Sequence, residues 1–304
     1  MSMRFTALRG LVISSVATAL AIAPVAADAQ GRNSRSRIDT SFQFDPTGTV
    51  VLGNGSATIF VTGWDQRTIR IRAHGDEGTL RFEASSRRVT IDPSRSSDDV
   101  MIQIDVPRGV RVEARTNSGD IAIRGTRGDV DAQTSSGDVQ ILDAAAVSAT
   151  SLSGDVEIRQ TTGAVTATTN NGDLKIADAH GDIEATAVSG DLMIARAASK
   201  IVRATNTSGD ISYSGTVDPQ GRYELTTHSG DLELRLPNDA NALVSVATWN
   251  GTIDSEFPIT IKPNSGTSSS GMTKRYTFTI GSGSAHITAE TFSGDIVITS
   301  RGGR

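Results

Sequence analysis

The sequence predicts an all-β protein, a β-solenoid in the form of a single-stranded β-helix with about nine coils. Three observations carry this prediction: a phrase that returns at a nearly constant interval, alternating apolar residues around it, and few aromatic residues, only 4% of the chain against 30 glycines. The phrase has two small polar residues, Gly, Asp and then alternating apolar residues, as in TSSGDVQI at 134–141. Its glycines are Gly119, Gly137, Gly154, Gly172, Gly190, Gly209, Gly230, Gly251 and Gly294.

Apolar residues flank each copy at fixed distances from its glycine. They stand seven and five residues before it, as at Val130 and Ala132, and two and four residues after it, as at Val139 and Ile141. The alternation has period two and changes phase at the Gly-Asp turn, which predicts two short strands per coil, each with one buried face. Because a lone coil leaves its apolar stripe exposed, the copies must stack into one core. The crossover rule favours right-handed coiling.

The chain divides into two sections of β-structure. An N-terminal section of strands is predicted for residues 38–110 and the repeat array for residues 111–304, with residues 38–300 as one continuous domain. In the first section, Asn54-Gly55 with Val50 before it fits the repeat template and predicts an outlying coil.

The repeat spacing widens near the C-terminal end. Gly251 and Gly294 are 43 residues apart, and the segment between them carries PITIK at 258–262 and RYTFTI at 275–280. We interpret it as a hairpin excursion that returns into the last coil. This excursion and the N-terminal strands are the candidates for capping the open ends of the core.

The first 29 residues have the features of a secretory signal peptide. Arginines precede an apolar stretch from Leu11 to Ala23, and Ala27-Asp28-Ala29 fits a cleavage site. Residues 30–37 are predicted to form a flexible lead-in. Export to the periplasm, the cell surface or the medium follows, with no membrane span once the signal is removed. The chain has no Cys, so disulfides are excluded, and its net charge of −5 argues against nucleic acid as a partner.

The chain resembles the bacterial putative-adhesin domains of unknown function, whose fold is a toast-rack-like β-solenoid with SGD repeats. The resemblance spans about residues 42–300. It rests on VTGWDQRTIRIRA at 61–73, DVPRGVRVEARTNSGDI at 105–121, the repeated SGD and the closing GSGSAHITAETFSGDIVI. It implies export and a periplasmic or surface role, and it supplies no catalytic residues that transfer to this sequence.

The aspartates after the repeat glycines form a column that raises a metal-binding hypothesis. Rungs about 4.8 Å apart place these carboxylates in a file, where neighbours repel each other by about 1 kcal/mol in water. A bound cation would relieve this repulsion, but an Asp after a turn glycine also accepts hydrogen bonds from backbone N–H groups. The GGxGxD pattern of calcium-binding solenoids is absent. A structural turn is therefore the favoured interpretation, and no metal or cofactor is assigned.

No combination of residues indicates catalysis. The four histidines lack HExxH spacing, and no G-x-S-x-G motif is present. β-Helix enzymes that act on polysaccharides need clustered charges on one outward face, whereas the outward column three residues after the glycine is mixed. It contains Ala122, Gln140, Glu157, Lys175, Met193, Ser212 and Glu233. We therefore predict a non-enzymatic protein without catalytic residues, with a polysaccharide-acting enzyme as the alternative.

An outward threonine file has the composition of an ice-binding face. Charged residues two positions earlier, among them Glu184 and Arg203, would interrupt a flat array, and the strand preference of threonine accounts for the file without a ligand. The file consists of Thr150, Thr168, Thr186, Thr205 and Thr226.

The predicted function is that of an exported adhesin or cell-envelope scaffold that contacts a glycan, a surface or an envelope protein. The candidate partner surface is the outward column two residues before the glycine, which becomes aromatic in the last three copies as His228, Trp249 and Phe292. Exposed aromatic strips are typical of contact sites. Alternatively, the excursion between Trp249 and Phe292 covers these rings, and this cover is the favoured interpretation because bare aromatic surface is unfavourable.

Overall fold

The computed structural model describes residues 36–53, 55–75, 80–93, 100–258 and 274–301. These residues form strands and turns in two sheets of thirteen strands each. The predicted signal peptide, most of the lead-in and the centre of the C-terminal excursion lie outside the described residues and stay predictions. In the part of the chain that is described, no helix has the length and apolarity needed to cross a membrane.

The first sheet takes one strand from each coil and, at one end, two further strands. Its members are β1 (Ser36–Gln43), β3 (Ala57–Trp64), β4 (Thr68–Gly75), β7 (Val100–Pro107), β9 (Ile121–Arg124), β11 (Val139–Ala144), β13 (Val156–Thr161), β15 (Leu174–Ala179), β17 (Leu192–Ala197), β19 (Ile211–Gly215), β21 (Leu232–Pro237), β23 (Ile253–Ser255) and β26 (Ile296–Arg301). They lie side by side in the order β1-β4-β7-β3-β9-β11-β13-β15-β17-β19-β21-β26-β23.

The second sheet takes the other strand of each coil. Its members are β2 (Thr49–Leu52), β5 (Arg81–Ala84), β6 (Arg88–Asp92), β8 (Arg111–Ser118), β10 (Val130–Ser136), β12 (Val147–Ser153), β14 (Val165–Asn171), β16 (Ile183–Ser189), β18 (Ile201–Ser208), β20 (Arg222–Ser229), β22 (Ala242–Asn250), β24 (Lys274–Ile280) and β25 (Ala285–Ser293). Their spatial order is β24-β22-β25-β20-β18-β16-β14-β12-β10-β8-β2-β6-β5.

Neighbouring coils pair in parallel and in register, so equivalent residues form rows along the solenoid. Val139 lies beside Val156, and Ile141 lies beside Ile158. All four side chains are at most 2% exposed, and the inward rows of both sheets meet in one hydrophobic core. The described residues contain nine coils with the SGD-type turn, which confirms the β-solenoid predicted from the repeat.

The repeat glycines occupy the main turn between the two strands of a coil. Gly154 has φ 142°, in the left-handed region that side chains disfavour. A Cβ atom added to Gly154 would lie 2.1 Å from the carbonyl oxygen of Gly137 in the neighbouring coil. The turn therefore needs glycine for its dihedral angle and for close stacking. Every repeat glycine except Gly251 has a positive φ.

A buried column of polar side chains, three residues before the glycine, bonds to the turn of the adjacent coil. Thr169 Oγ1 donates a hydrogen bond to the carbonyl oxygen of Gly154 at 3.1 Å, and Ser151 Oγ donates to that of Gly137 at 3.2 Å. The same contact is made by Thr134, Thr227, Thr248 and Thr291. Because these hydroxyls are satisfied, they can face the core, and the next residue of each strand points outward.

Two coils without the SGD phrase extend the array at its N-terminal end. β2 and β3 pair with the first SGD coil, with Val50 beside Val112 and Ile59 beside Ile121, and β6 and β7 pair with β2 and β3. The predicted outlying coil is thus present, but its register is displaced by two residues, because Gly119 stacks on Ala57 rather than on Gly55. In the observed register Leu52 lies beside Ala114 and Val61 lies beside Ile123, so the apolar rows continue through this coil although its glycine is not aligned with the repeat glycines.

The coils at the C-terminal end do not stack in chain order. The coil of β25 and β26 is inserted between the coil of β20 and β21 and that of β22 and β23. The excursion returns into the last coil of the chain, that of Gly294, but this coil is not at the end of the stack: the coil of Gly251 is outermost among the described coils.

The loop between β24 and β25 accounts for this arrangement. β24 pairs antiparallel with β22 on one side while β25 pairs parallel with β22 on the other. The connecting loop crosses the start of β22, where Asn241 Oδ1 accepts a hydrogen bond from the N–H of Ser282 at 2.9 Å. Asn241 also bonds through its carbonyl oxygen to the N–H of Ala285 at 3.0 Å. β24 and β25 therefore hold β22 between them.

Candidate functional site

Three aromatic side chains come together on the outer surface of the second sheet. His228 lies on β20, Phe292 on β25 and Trp249 on β22, and each directly follows a buried threonine of the inward column. Because β25 is inserted between β20 and β22, Phe292 lies between the other two rings. We call these three residues the ring strip.

The rings of the strip are nearly parallel and in contact. The centroids of His228 and Phe292 are 4.9 Å apart with an interplanar angle of 10°, and those of Phe292 and Trp249 are 5.8 Å apart with an angle of 16°. Parallel rings in van der Waals contact lie about 3.5 to 4 Å apart along their normal. The larger centroid separations therefore mean that the rings are offset like steps, the arrangement that aromatic pairs prefer, and part of each ring face stays open.

The ring strip is accessible to solvent. Trp249 is 42% exposed and Phe292 is 48% exposed. The described strand of the excursion, β24, pairs with the edge of β22 within the second sheet instead of lying over the rings. The described part of the excursion therefore does not cover Trp249 and Phe292, while residues 259–273 lie outside the described residues, so cover by them stays a prediction. The binding of a partner to the strip stays a prediction.

An open groove of about 420 Å³ runs beside the ring strip along the second sheet. Its remaining lining includes the exposed Thr205 and Thr226, which belong to the outward threonine file, together with Ala247, Arg275 and Glu290. We call this feature the ring groove. Aromatic faces thus form one side of the groove, and hydroxyl and charged groups lie beside them.

An ion pair bounds the ring groove near the end of the solenoid. The guanidinium of Arg275 on β24 and the carboxylate of Glu290 on β25 are 2.9 Å apart. Ala247 on the intervening strand β22 lies opposite both residues. The pair therefore spans β22 and shields Ala247, which points outward yet is only 4% exposed.

The aspartate column forms a hydrogen-bonded ladder along the main turns. Oδ1 of Asp155 accepts a hydrogen bond from the N–H of Asp173 at 2.8 Å, and Oδ1 of Asp173 accepts one from the N–H of Asp191 at 3.1 Å. The bond from Asp191 is the main cause that lowers the pKa of Asp173, and the ammonium group of Lys175 lowers it further. The same Oδ1 contact is made by Asp120, Asp138, Asp191, Asp210, Asp231 and Asp295.

This ladder confirms the structural interpretation of the column, since each carboxylate has a backbone donor in the next coil. Among the described residues, no group of three or more His, Cys, Asp or Glu side chains is placed to hold a metal ion. The carboxylates of the outward column on the first sheet are also paired: Glu233 contacts Arg235 at 2.7 Å, and Glu157 contacts Arg159.

Sequence reasoning found the three rings but missed their order and the neighbouring ion pair. In chain order Trp249 separates His228 from Phe292, and Arg275 belongs to a segment without repeat columns. One signal for the order was present: the copy TWNGTIDS has Thr252 where other copies have Asp. Thr252 donates its N–H to Asp295 Oδ1 at 2.7 Å but offers no carboxylate to a further coil, as suits an outermost position.

The family model that matches the chain agrees with this architecture. The family model described as Toastrack DUF4097 matches residues 49–214 and 198–299. A crystal structure of a putative adhesin from Bacteroides fragilis is 12% identical, with a TM-score of 0.40 over 87% of this chain and 98% of its own. A crystal structure of a putative cell adhesion protein from Clostridium sporogenes is 8% identical, with a TM-score of 0.23 over 88% of this chain and 100% of its own. None of the curated proteins matches. The family match confirms the resemblance seen in the sequence, and the chain belongs to the Toastrack DUF4097 family.

Proposed function

We propose that this protein is an exported, non-enzymatic contact protein that attaches to a surface glycan or an envelope protein through the ring strip. One observation carries the proposal: Trp249 and Phe292 remain about half exposed although the fold offers a buried face on the same strands. Exposed large aromatic side chains are unfavourable in water unless a partner covers them. A regular array of coils supplies a rigid support for such a contact.

The surroundings of the strip support binding rather than bond cleavage. Catalysis by a glycoside hydrolase requires two carboxyl groups facing one bond. In the ring groove the carboxylate of the described lining is that of Glu290, and it is paired with Arg275. The alternative, a polysaccharide-acting enzyme, predicts release of new sugar ends from a polysaccharide panel, abolished by substitution of one carboxylate.

Adhesion of beads coated with the purified protein tests the proposal. Beads carrying wild type, Trp249→Ala or Leu152→Ala are applied to whole bacterial cells and to immobilised polysaccharides and envelope proteins. Leu152 is a matched control, because it is 51% exposed in the same column, several coils away. We expect Trp249→Ala to lose adhesion while its melting temperature stays unchanged, and Leu152→Ala to keep both. A Trp249→Ala variant with lower stability and undiminished adhesion would assign the ring a structural role instead.

Export is proposed from the pattern of residues 1–29 alone. Expression of the full chain in a bacterial host, followed by fractionation and mass measurement, checks it. We expect a periplasmic or extracellular product that begins at Gln30, and an uncleaved cytoplasmic product would contradict this part of the proposal.

A further inference from the structure

We propose that the ring groove binds a neutral, extended oligosaccharide whose sugar rings lie along the solenoid axis, each against one step of the ring strip. This inference rests on the proposed function and names the chemical class of the partner. The groove combines stepped ring faces, hydrogen-bonding groups beside them and a balance of charge.

The ring strip offers a ladder of partly open faces instead of a single platform. Its three rings follow one another at 4.9 and 5.8 Å, close to the spacing of the strands that carry them. The less polar face of a sugar ring carries C–H groups that pack well on aromatic faces, whose electron density is negative. A chain of sugars can therefore place successive rings on successive steps, whereas a single small molecule would use only one.

The groups beside the rings match hydroxyls. The side chains of Thr205 and Thr226 are exposed along the groove, and a hydroxyl both donates and accepts hydrogen bonds. Arg275 contributes donors and Glu290 contributes acceptors at the end of the groove. Such a mixture suits a ligand whose groups also donate and accept, and a sugar hydroxyl is of this kind.

The charge of the lining favours an uncharged ligand. Arg275 and Glu290 neutralise each other, and the other described residues of the lining, apart from His228, carry no ionisable side chain. An acidic or basic chain would therefore meet little complementary charge in the groove. Its charged groups would lose hydration without gaining an ion pair.

The strand pairing argues against a peptide that adds as a strand. β25 lies between β20 and β22, and β22 is paired on both sides by β25 and β24. The backbone groups of β20, β25 and β22 are committed to the sheet, so these strands offer the groove side chains only; the outer edge of the described sheet lies on β24, and a strand added there would be separated from Trp249 by β24 itself. Protein segments that join a sheet need a free edge.

Isothermal titration calorimetry on the folded protein tests the proposal. The probes are cellohexaose, xylohexaose and chitohexaose as neutral chains, with hexagalacturonate as the acidic comparison. We expect saturable binding of at least one neutral chain, little changed by added salt because no ion pair forms. Affinity should fall about tenfold or more in Trp249→Ala and in Phe292→Ala, the size of loss typical of buried aromatic anchors. Leu152→Ala should bind like wild type.

A second variant keeps the test independent of ring packing. Thr226→Val retains the shape of an exposed side chain and removes its hydroxyl, so we expect a several-fold loss of affinity without a change in melting temperature. The proposal is overturned if no neutral chain binds, if Trp249→Ala and Thr226→Val both bind like wild type, or if only hexagalacturonate binds and salt abolishes it. If Trp249→Ala loses bead adhesion but the wild type binds no oligosaccharide, the proposal that the ligand is a neutral oligosaccharide is overturned. The proposed contact role of the ring strip is then still supported.

Discussion

Gly154 shows why the repeat phrase keeps its glycine. Its φ of 142° disfavours any side chain, and a Cβ would overlap the carbonyl oxygen of Gly137. We expect Gly154→Val to lower the free energy of unfolding by about 2 kcal/mol or more, because backbone strain adds to the clash. Ser153→Ala, at the exposed neighbouring position, should change it by less than about 0.5 kcal/mol. Urea unfolding compares the two, and equal midpoints would contradict the turn assignment.

The buried threonines Thr169 and Thr161 differ in whether the side-chain hydroxyl has a hydrogen-bond partner. Thr169 Oγ1 donates to the carbonyl oxygen of Gly154, whereas Thr161 Oγ1 is buried without a hydrogen-bond partner among the described residues. Both side chains are 0% exposed. We expect Thr169→Val to destabilise the protein by about 1 kcal/mol and Thr161→Val to leave it as stable or stabilise it by up to about 1 kcal/mol. Thermal unfolding of both variants checks the sign, and equal losses would show that Thr161 has a partner such as a bound water.

At the scale of the element, the aspartate ladder links stability to pH. The lowered pKa of Asp173 means that the folded state holds this proton less tightly than the unfolded state. Its ionised form therefore stabilises the fold above the unfolded pKa, near 3.9, and this contribution is lost as the pH falls through the folded pKa. Asp173→Asn keeps the side-chain oxygen acceptor and removes the charge.

Urea unfolding midpoints measured between neutral pH and about pH 2 test this link. We expect wild type to lose stability more steeply with acid than Asp173→Asn does. Asp254→Asn, at an exposed position of the outermost coil, serves as the control and should follow wild type. Parallel curves for wild type and Asp173→Asn would mean that the hydrogen bond from Asp191 does not distinguish the charged carboxylate from a neutral acceptor.

The strands and turns of the array could be read from the sequence because every inner coil has the same surroundings. Val139 and Ile141 must face the core for the same reason as Val156 and Ile158, so the columns report burial directly. The register of β2 and β3 could not be read in this way. Gly55 supplied a plausible turn, but the observed pairing places Val50 beside Val112 and Ile59 beside Ile121, two residues away from the register that aligns the glycines. Local turn chemistry does not contain that long-range information.

At the scale of the whole molecule, the stacking order was the part that the sequence left open. Copies at Gly251 and Gly294 both carry inward columns, so period and pattern permit either one to be outermost. The order depends on the loop that crosses β22 near Asn241. It also depends on which coil can end the aspartate ladder, and the coil of Gly251 can do so because Thr252 stands in place of the aspartate that would accept a bond from a further coil. The same order brings Phe292 between His228 and Trp249, so the ring strip is a product of the topology.

This topology predicts an unusual response to damage in the C-terminal coils. Ile296 is fully buried between Leu232 and Ile253, whereas Ile253, on the outermost described coil, is half-buried. Because Ile296→Asp places an unpaired charge between two coils, we expect faster hydrogen exchange in β20, β21, β22 and β23 together. Ile253→Asp should speed exchange in β22 and β23 and leave β20 and β21 protected, since stacked coils contact only their neighbours.

Hydrogen exchange followed by mass spectrometry resolves the two patterns, because peptides from 222–237 and 242–255 report on different coils. Stacking in chain order predicts the reverse: Ile253 would then lie between two coils, and its substitution would expose 222–237 as well. Protection of 222–237 that survives Ile296→Asp and fails in Ile253→Asp would therefore overturn the inserted coil, and with it the adjacency of His228 and Phe292 on which the ring groove depends.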